Sequence, residues 1–183
     1  MIEIKFKGRG GQGVVVASEI LGKALFEEGK YPQCFSLFGS ERRGAPVFGF
    51  LRVDQKPILL KCQIRRPDHL VIFDQSLLDE AEVLQELKPG GTLLVNTERE
   101  IDAFERLRQY HIGLIDVGPI ARKAGIGAVW NTAILGAYAS LTHLVKKETL
   151  IEVIRKTIST KIESNLEAFE EAYDKVKTYE RVC

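Results

Sequence analysis

Cysteine and histidine are few in this chain, and they are scattered. Cys34, Cys62 and Cys183 stand far apart, and no CxxC occurs. That spacing alone holds neither an iron–sulfur cluster nor a structural zinc, and a disulfide framework is not expected in a chain with cytosolic features. His69, His111 and His143 form no HExxH or related pattern, which argues against a metal site. An excess of charge is missing too. With 26 Lys plus Arg against 25 Asp plus Glu and no separate basic tail, nucleic acid is not an expected partner. No apolar run is long enough to cross a bilayer, and no charged-then-apolar leader precedes the first strand-like segment. These absences predict a cytoplasmic protein without membrane contact.

What is present is an ordinary globular composition over 183 residues, enough to bury a proper core in a single domain spanning 1–183. Its organising stretch is KGRGGQGVVV, from Lys7 to Val16. It follows an alternating run (Ile2, Ile4 and Phe6 between Glu3, Lys5 and Lys7) and leads into a segment of helical spacing that ends near Gly29. The stretch therefore lies where a first strand turns into a first helix. Gly8, Gly10 and Gly13 satisfy GxGxxG, with Gly11 and Gln12 inside it. Glycines there permit positive φ and a close approach of ligand to backbone, and a helix N-terminus favours an anion. The alternative is a tight strand-to-helix turn that binds nothing.

Downstream, Tyr31 to Phe35 reads as a second strand, followed by the polar loop SLFGSERRGAP. Arg42 and Arg43 offer planar, permanently charged donors to phosphate or carboxylate, with Glu41 placed to orient one of them; the alternative is a solvated loop with surface ion pairs of little worth. PVFGFLRV and ILLKCQI, separated by Asp54-Gln55-Lys56-Pro57, read as a hairpin. Leu70–Phe73, Thr92–Val95 and His111–Val117 read as buried strands alternating with helices, which predicts an α/β fold with a mostly parallel sheet. From Gly118 onward only helices are expected, making 118–183 a helical part appended to a 1–117 core, with Asn165 and Glu170 on the exposed face of the last helix. Asn131 and Thr132 open a helix rich in small residues, where they either cap it or meet a ligand. Gly136, Ala137 and Ala139 suit that helix to close packing.

A dinucleotide oxidoreductase is one reading of the glycine loop, but the second strand lacks the acid that binds the ribose of NAD. NADP with Arg42 and Arg43 would be a stand-alone alternative, yet no catalytic acid, base or nucleophile stands out. A non-catalytic binding or assembly subunit is the other class.

Here the residues resemble a known family. KGRGGQGVVVASEIL, FGSERRGAPVFGFLRV, PDHLVIFDQSLL and NTAILGAYA, in that order, look like the gamma subunit of the 2-oxoacid:ferredoxin oxidoreductases. The resemblance extends to about Ser140. Ser40 stands where members often carry proline, and ERRGAP is closer to pyruvate-type or branched-chain members than to the 2-oxoglutarate type, whose arginine is typically followed by two glycines. The resemblance implies a Rossmann-like three-layer domain in a complex that oxidatively decarboxylates a 2-oxoacid, pyruvate first among them, forms acyl-coenzyme A and reduces ferredoxin. It implies alpha, beta and delta partner subunits, with thiamine diphosphate between alpha and beta and iron–sulfur clusters on delta. This chain would sit near where coenzyme A enters and be inactive alone, with no catalytic residue of its own. Gly8, Gly10, Gly11, Gln12 and Gly13 match the family's glycine loop, Arg42 and Arg43 its ERRGAP signature, and Asn131 and Thr132 its late Asn-Thr pair; these would contact coenzyme A or order a subunit contact.

Overall fold

Apolar residues at every second position draw Ile2–Arg9 into a strand, β1, whose Ile4 and Phe6 are fully buried. The computed structural model describes residues 1–38 and 44–182, so Arg42 and Arg43 lie outside the described residues. Helix α1 (Val14–Glu27) follows β1, and then come β2 (Tyr31–Phe38), β3 (Pro46–Asp54), β4 (His69–Ile72), α2 (Glu80–Glu86), β5 (Thr92–Asn96) and β6 (His111–Ile115). Four further helices, α3 (Val117–Lys123), α4 (Asn131–Thr142), α5 (Lys147–Thr157) and α6 (Ile162–Lys175), precede a short β7 (Lys177–Tyr179). Short 3-10 segments lie at Gln75–Leu77 and Ile101–Leu107.

Among the described residues the strands form one sheet in the order β2-β3-β1-β4-β5-β6-β7. Its centre, β1-β4-β5-β6, is parallel, while β2, β3 and β7 run antiparallel to their neighbours. Side chains alternate across the sheet and feed two cores. Ile4, Phe6, Val71, Phe73 and Leu94 join α1 and the C-terminal helices on one face. Leu70, Ile72, Leu93, Val95 and Ile112 join α2 and the 101–107 segment on the other. The result is the three-layer α/β arrangement of a Rossmann-like fold.

Three expectations are corrected. The hairpin is made by β2 and β3, not by β3 and the 58–64 segment. Both edges of β3 are already taken, by β2 and β1, so ILLKCQI has no ladder to join; it crosses the sheet as coil with Leu59 88% exposed. Its role is to close over Arg52, which bonds Glu3 Oε1 at 2.9 Å and Gln33 Oε1 at 3.2 Å and approaches the Cys62 thiol. The last helix stops at Lys175, and Lys177–Tyr179 becomes β7 because the outer edge of β6 offers it a ladder. Asn165 is buried, not exposed: it accepts from the Thr132 hydroxyl at 3.0 Å and donates to Lys161 O at 2.9 Å, which satisfies a polar side chain inside the core.

Close packing of α4 on α6 depends on Gly136. A Cβ there would lie 2.0 Å from the Phe169 carbonyl oxygen, so the helices touch backbone to backbone with no room to spare. Gly136→Ala is expected to destabilise the protein by about 3 kcal/mol despite alanine's better helix propensity; urea unfolding checks this, and an unchanged midpoint would contradict the packing account.

His69 and Tyr138 share a hydrogen bond of 2.6 Å between β4 and α4. Burial pushes the imidazole down from 6.5 to about 4, partly opposed by the charge of Asp68. The unfolded chain therefore binds a proton there that the folded chain refuses, and stability falls as pH drops from 6.5 towards 4. The contribution is up to about 3 kcal/mol. In His69→Gln the fall in unfolding free energy over that range should be shallower by about this amount; parallel pH profiles would show that burial does not hold His69 uncharged.

Candidate anion site at the glycine loop

The chain leaves β1 towards α1 and β2 on one side, while β4 lies on the other side of β1. The carboxyl ends of β1 and β4 thus flank a topological switch point, where open α/β sheets bind ligands. Gly8 ends the buried part of β1, and a Cβ on it would lie 2.4 Å from Val14 Cγ2 and 2.9 Å from Phe73 Cβ. Gly10 and Gly11 are exposed, with Gly11 at φ +97° and nothing near its Cβ position. The N-cap of α1 is Gly13, at φ 81°, a conformation costly to any residue with a side chain.

Having no side chain, Gly13 caps nothing. Among the described residues the backbone amides of Gly13, Val14, Val15 and Val16 have no hydrogen-bond acceptor, whereas Ala17 N already bonds Gly13 O at 2.9 Å. The first turn of α1 contains no acidic side chain to occupy the position. Outward-facing donors, the positive end of a 14-residue helix and glycine-lined access together describe a site for an anion such as a phosphate.

The late Asn-Thr pair divides. Asn131 is only 2% exposed and packs on Gly13, whose Cβ position lies 3.1 Å from Asn131 Nδ2. Its Oδ1 accepts from Thr132 N at 2.9 Å, while among the described residues no acceptor engages its Nδ2. Trp130 N donates to Gln12 O at 3.2 Å, so the start of α4 is fastened to the loop. Thr132 turns away and gives its hydroxyl to Asn165. Gln12 faces inward: Oε1 accepts from Arg9 N at 2.8 Å, and Nε2 donates to Asp74 Oδ2 at 3.1 Å.

Arg9, Asp74 and Ser76 are the polar residues that sequence reading did not single out here. Arg9 Nε lies 3.1 Å from Asp74 Oδ2, and its Nη2 lies 2.7 Å from Ser76 Oγ. Burial alone would raise the Asp74 carboxyl, but bonds from Ser76 and Gln12 and the charge of Arg9 outweigh it and hold the group below the ordinary aspartate range. The available signal was position: Arg9 lies inside the glycine stretch, and Asp74 ends a buried strand. No group of three His, Cys, Asp or Glu side chains placed to hold a metal ion occurs among the described residues; Cys34 and Cys62 are free thiols. No helix is long and apolar enough to cross a membrane among the described residues.

Comparison with known proteins gives this site a context. The sequence model for pyruvate ferredoxin/flavodoxin oxidoreductase matches residues 3–175. The chain is 49% identical over 184 aligned positions to the pyruvate/ketoisovalerate oxidoreductases common subunit gamma of Thermococcus kodakarensis, spanning 98% of this chain and 100% of that one. It is 44% identical to the pyruvate synthase subunit PorC of Methanothermobacter marburgensis, over 97% and 98% of the two chains. The crystal structure of pyruvate oxidoreductase subunit PORC from Thermotoga maritima shares the fold with a TM-score of 0.84 and 34% identity, over 98% of each chain. The full-length match in sequence and in fold means that the chain belongs to the pyruvate ferredoxin/flavodoxin oxidoreductase family, as a subunit of its gamma type.

Proposed function

We propose that this gamma-type chain works in a cytoplasmic complex with alpha, beta and delta subunits that oxidises pyruvate to acetyl-coenzyme A and reduces ferredoxin, and that its own task is to hold an anionic group of coenzyme A. The names of its relatives support pyruvate as the acid. Thiamine diphosphate and iron–sulfur clusters belong, on this reading, to the partner subunits. The observation that carries the assignment is the uncapped first turn of α1, open beside Gly10 and Gly11 and flanked by Asn131.

In this role the amides of Val14–Val16 donate to a phosphate oxygen, and the helix dipole supplies partial positive charge without a counterion. Asn131 Nδ2 adds a donor from the α4 side. Arg42 and Arg43, proposed from the sequence motif alone, would add charge for the same anionic group. None of these groups takes part in making or breaking bonds. They fix one end of coenzyme A, so that its thiol is presented in a defined direction to the partner subunits.

Gly13→Ala tests the loop directly. A Cβ at φ 81° is strained and would press on Asn131 at 3.0 Å, so the coenzyme A KM of the assembled complex should rise about tenfold with the pyruvate KM unchanged. Arg42→Ala and Arg43→Ala separate the two readings of the arginine loop. Weaker coenzyme A binding with intact assembly supports a ligand role, whereas unchanged affinity with weakened assembly assigns the loop to a subunit contact.

A further inference from the structure

One charged side chain at the glycine loop is left unused by the anion site. Arg9 turns all three nitrogens of its guanidinium towards acceptors of the protein itself. Its Nε faces Asp74 Oδ2 at 3.1 Å and Ser76 Oγ at 3.2 Å, its Nη2 donates to the same hydroxyl at 2.7 Å, and its Nη1 donates to the Gly44 carbonyl at 2.8 Å. Three separate segments meet on this one group: the glycine loop, the turn after β4, and the turn just before β3. The backbone repeats the connection, with Gly10 N donating to Ala45 O at 3.0 Å. Gln12 closes the circle, receiving Arg9 N and donating to Asp74.

Asp74 is itself well held, since its Oδ1 accepts from both Ser76 N at 3.0 Å and Ser76 Oγ at 2.5 Å. The carboxylate therefore has no freedom to follow Arg9 elsewhere, and a guanidinium paired with a carboxylate and with each nitrogen already donating is a poor ligand for an incoming anion. Its geometry suits a different task. A planar fork can reach a carboxylate, a hydroxyl and a carbonyl that lie in different directions, whereas a lysine ammonium delivers its donors from a single point.

We propose that Arg9 is a positioning residue: its fork straps the glycine loop to the end of β4 and to Gly44, and thereby fixes the N-terminus of α1 for the anion. The proposal rests on the coenzyme A reading for its ligand, but not for the strap itself. Because the strap crosses the switch point between β1 and β4, it keeps Gly10 and Gly11 at a set distance from the neighbouring strand end. Asp74 also cancels the charge of Arg9, leaving the backbone donors of α1 as the attraction at this point of the loop.

Five substitutions test it, read in two ways. Amide hydrogen exchange in the full-length chain follows Gly10, whose N–H is held by Ala45 O. Arg9→Met and Asp74→Asn should each speed that exchange about tenfold, and in the assembled complex each should raise the coenzyme A KM about fivefold, with kcat and the pyruvate KM within about twofold. Arg9→Lys should fall between wild type and Arg9→Met in both readouts, because it restores the charge but not the fork. If Arg9→Met does not fold, Ser76→Ala removes one acceptor of the same strap and should shift both readouts in the same direction. Unchanged Gly10 exchange in Arg9→Met and Asp74→Asn overturns the strap. Faster exchange with a coenzyme A KM that moves in Asn131→Leu but not in Arg9→Met overturns the positioning role. If no variant, Asn131→Leu included, moves the coenzyme A KM, the coenzyme A reading fails, and Gly10 exchange alone decides whether Arg9 holds the loop.

Discussion

The missing side chain at Gly8 is the constraint on which the rest of this structure depends. Val14 and Phe73 approach its Cβ position to 2.4 Å and 2.9 Å, so the end of β1, the start of α1 and the end of β4 meet at one point. Any larger residue would force them apart. From that contact follow the reversal of the chain into α1, the adjacency of β1 and β4, and the switch point between them. A glycine at the N-cap then leaves the first turn of α1 uncapped by the protein itself. In most helices such donors are met by a side chain; a turn that leaves them open, beside a buried amide from another helix, is arranged for an acceptor from outside.

The C-terminal helices give this loop its support. Asn131 and Trp130 bring the start of α4 against Gly13 and Gln12. Behind them α4 is locked to α6 by the Gly136 contact and by the Thr132–Asn165 hydrogen bond. Thr132 therefore acts on the loop only indirectly, by holding the helix that carries Asn131. On the opposite face, Lys7 bonds Glu82 at 2.8 Å and Glu86 at 3.1 Å, which ties the last polar residue of β1 before the loop to α2. Glu82 is half exposed and Glu86 is nearly buried; such pairs add little net stability, but they fix the direction from which β1 enters the loop.

Much of this was legible in the sequence where local pattern decides structure. The alternation in β1, the helical spacing of α1 and the continuous apolar runs of β4, β5 and β6 point to the elements observed, and glycine spacing marked the loop. Pairing was less legible. The Asp54–Pro57 turn looked like a hairpin, yet which strand sits beside β3 is settled by competition for its edges, and β1 and β2 win both. Lys177–Tyr179 continues a helical pattern until the free edge of β6 offers it a ladder. Asn165 looked solvent-facing by charge pattern because its partner, Thr132, lies 33 positions away. The Arg9–Asp74 pair, separated by 65 positions, was invisible for the same reason: the loop showed its glycines, and β4 showed only the residue that ended it. Family membership was readable from ordered motifs, since four short segments in sequence constrain identity more than any one glycine pattern.

The central claim is that the first turn of α1 receives an anionic group of coenzyme A. The most direct measurement is a structure of the assembled complex with coenzyme A bound. The account predicts a phosphate oxygen within hydrogen-bonding distance of the Val14–Val16 amides and Asn131 Nδ2, with Arg9 still joined to Asp74. Coenzyme A seated elsewhere, with the glycine loop pressed against a partner subunit, would contradict it and make this loop a subunit contact.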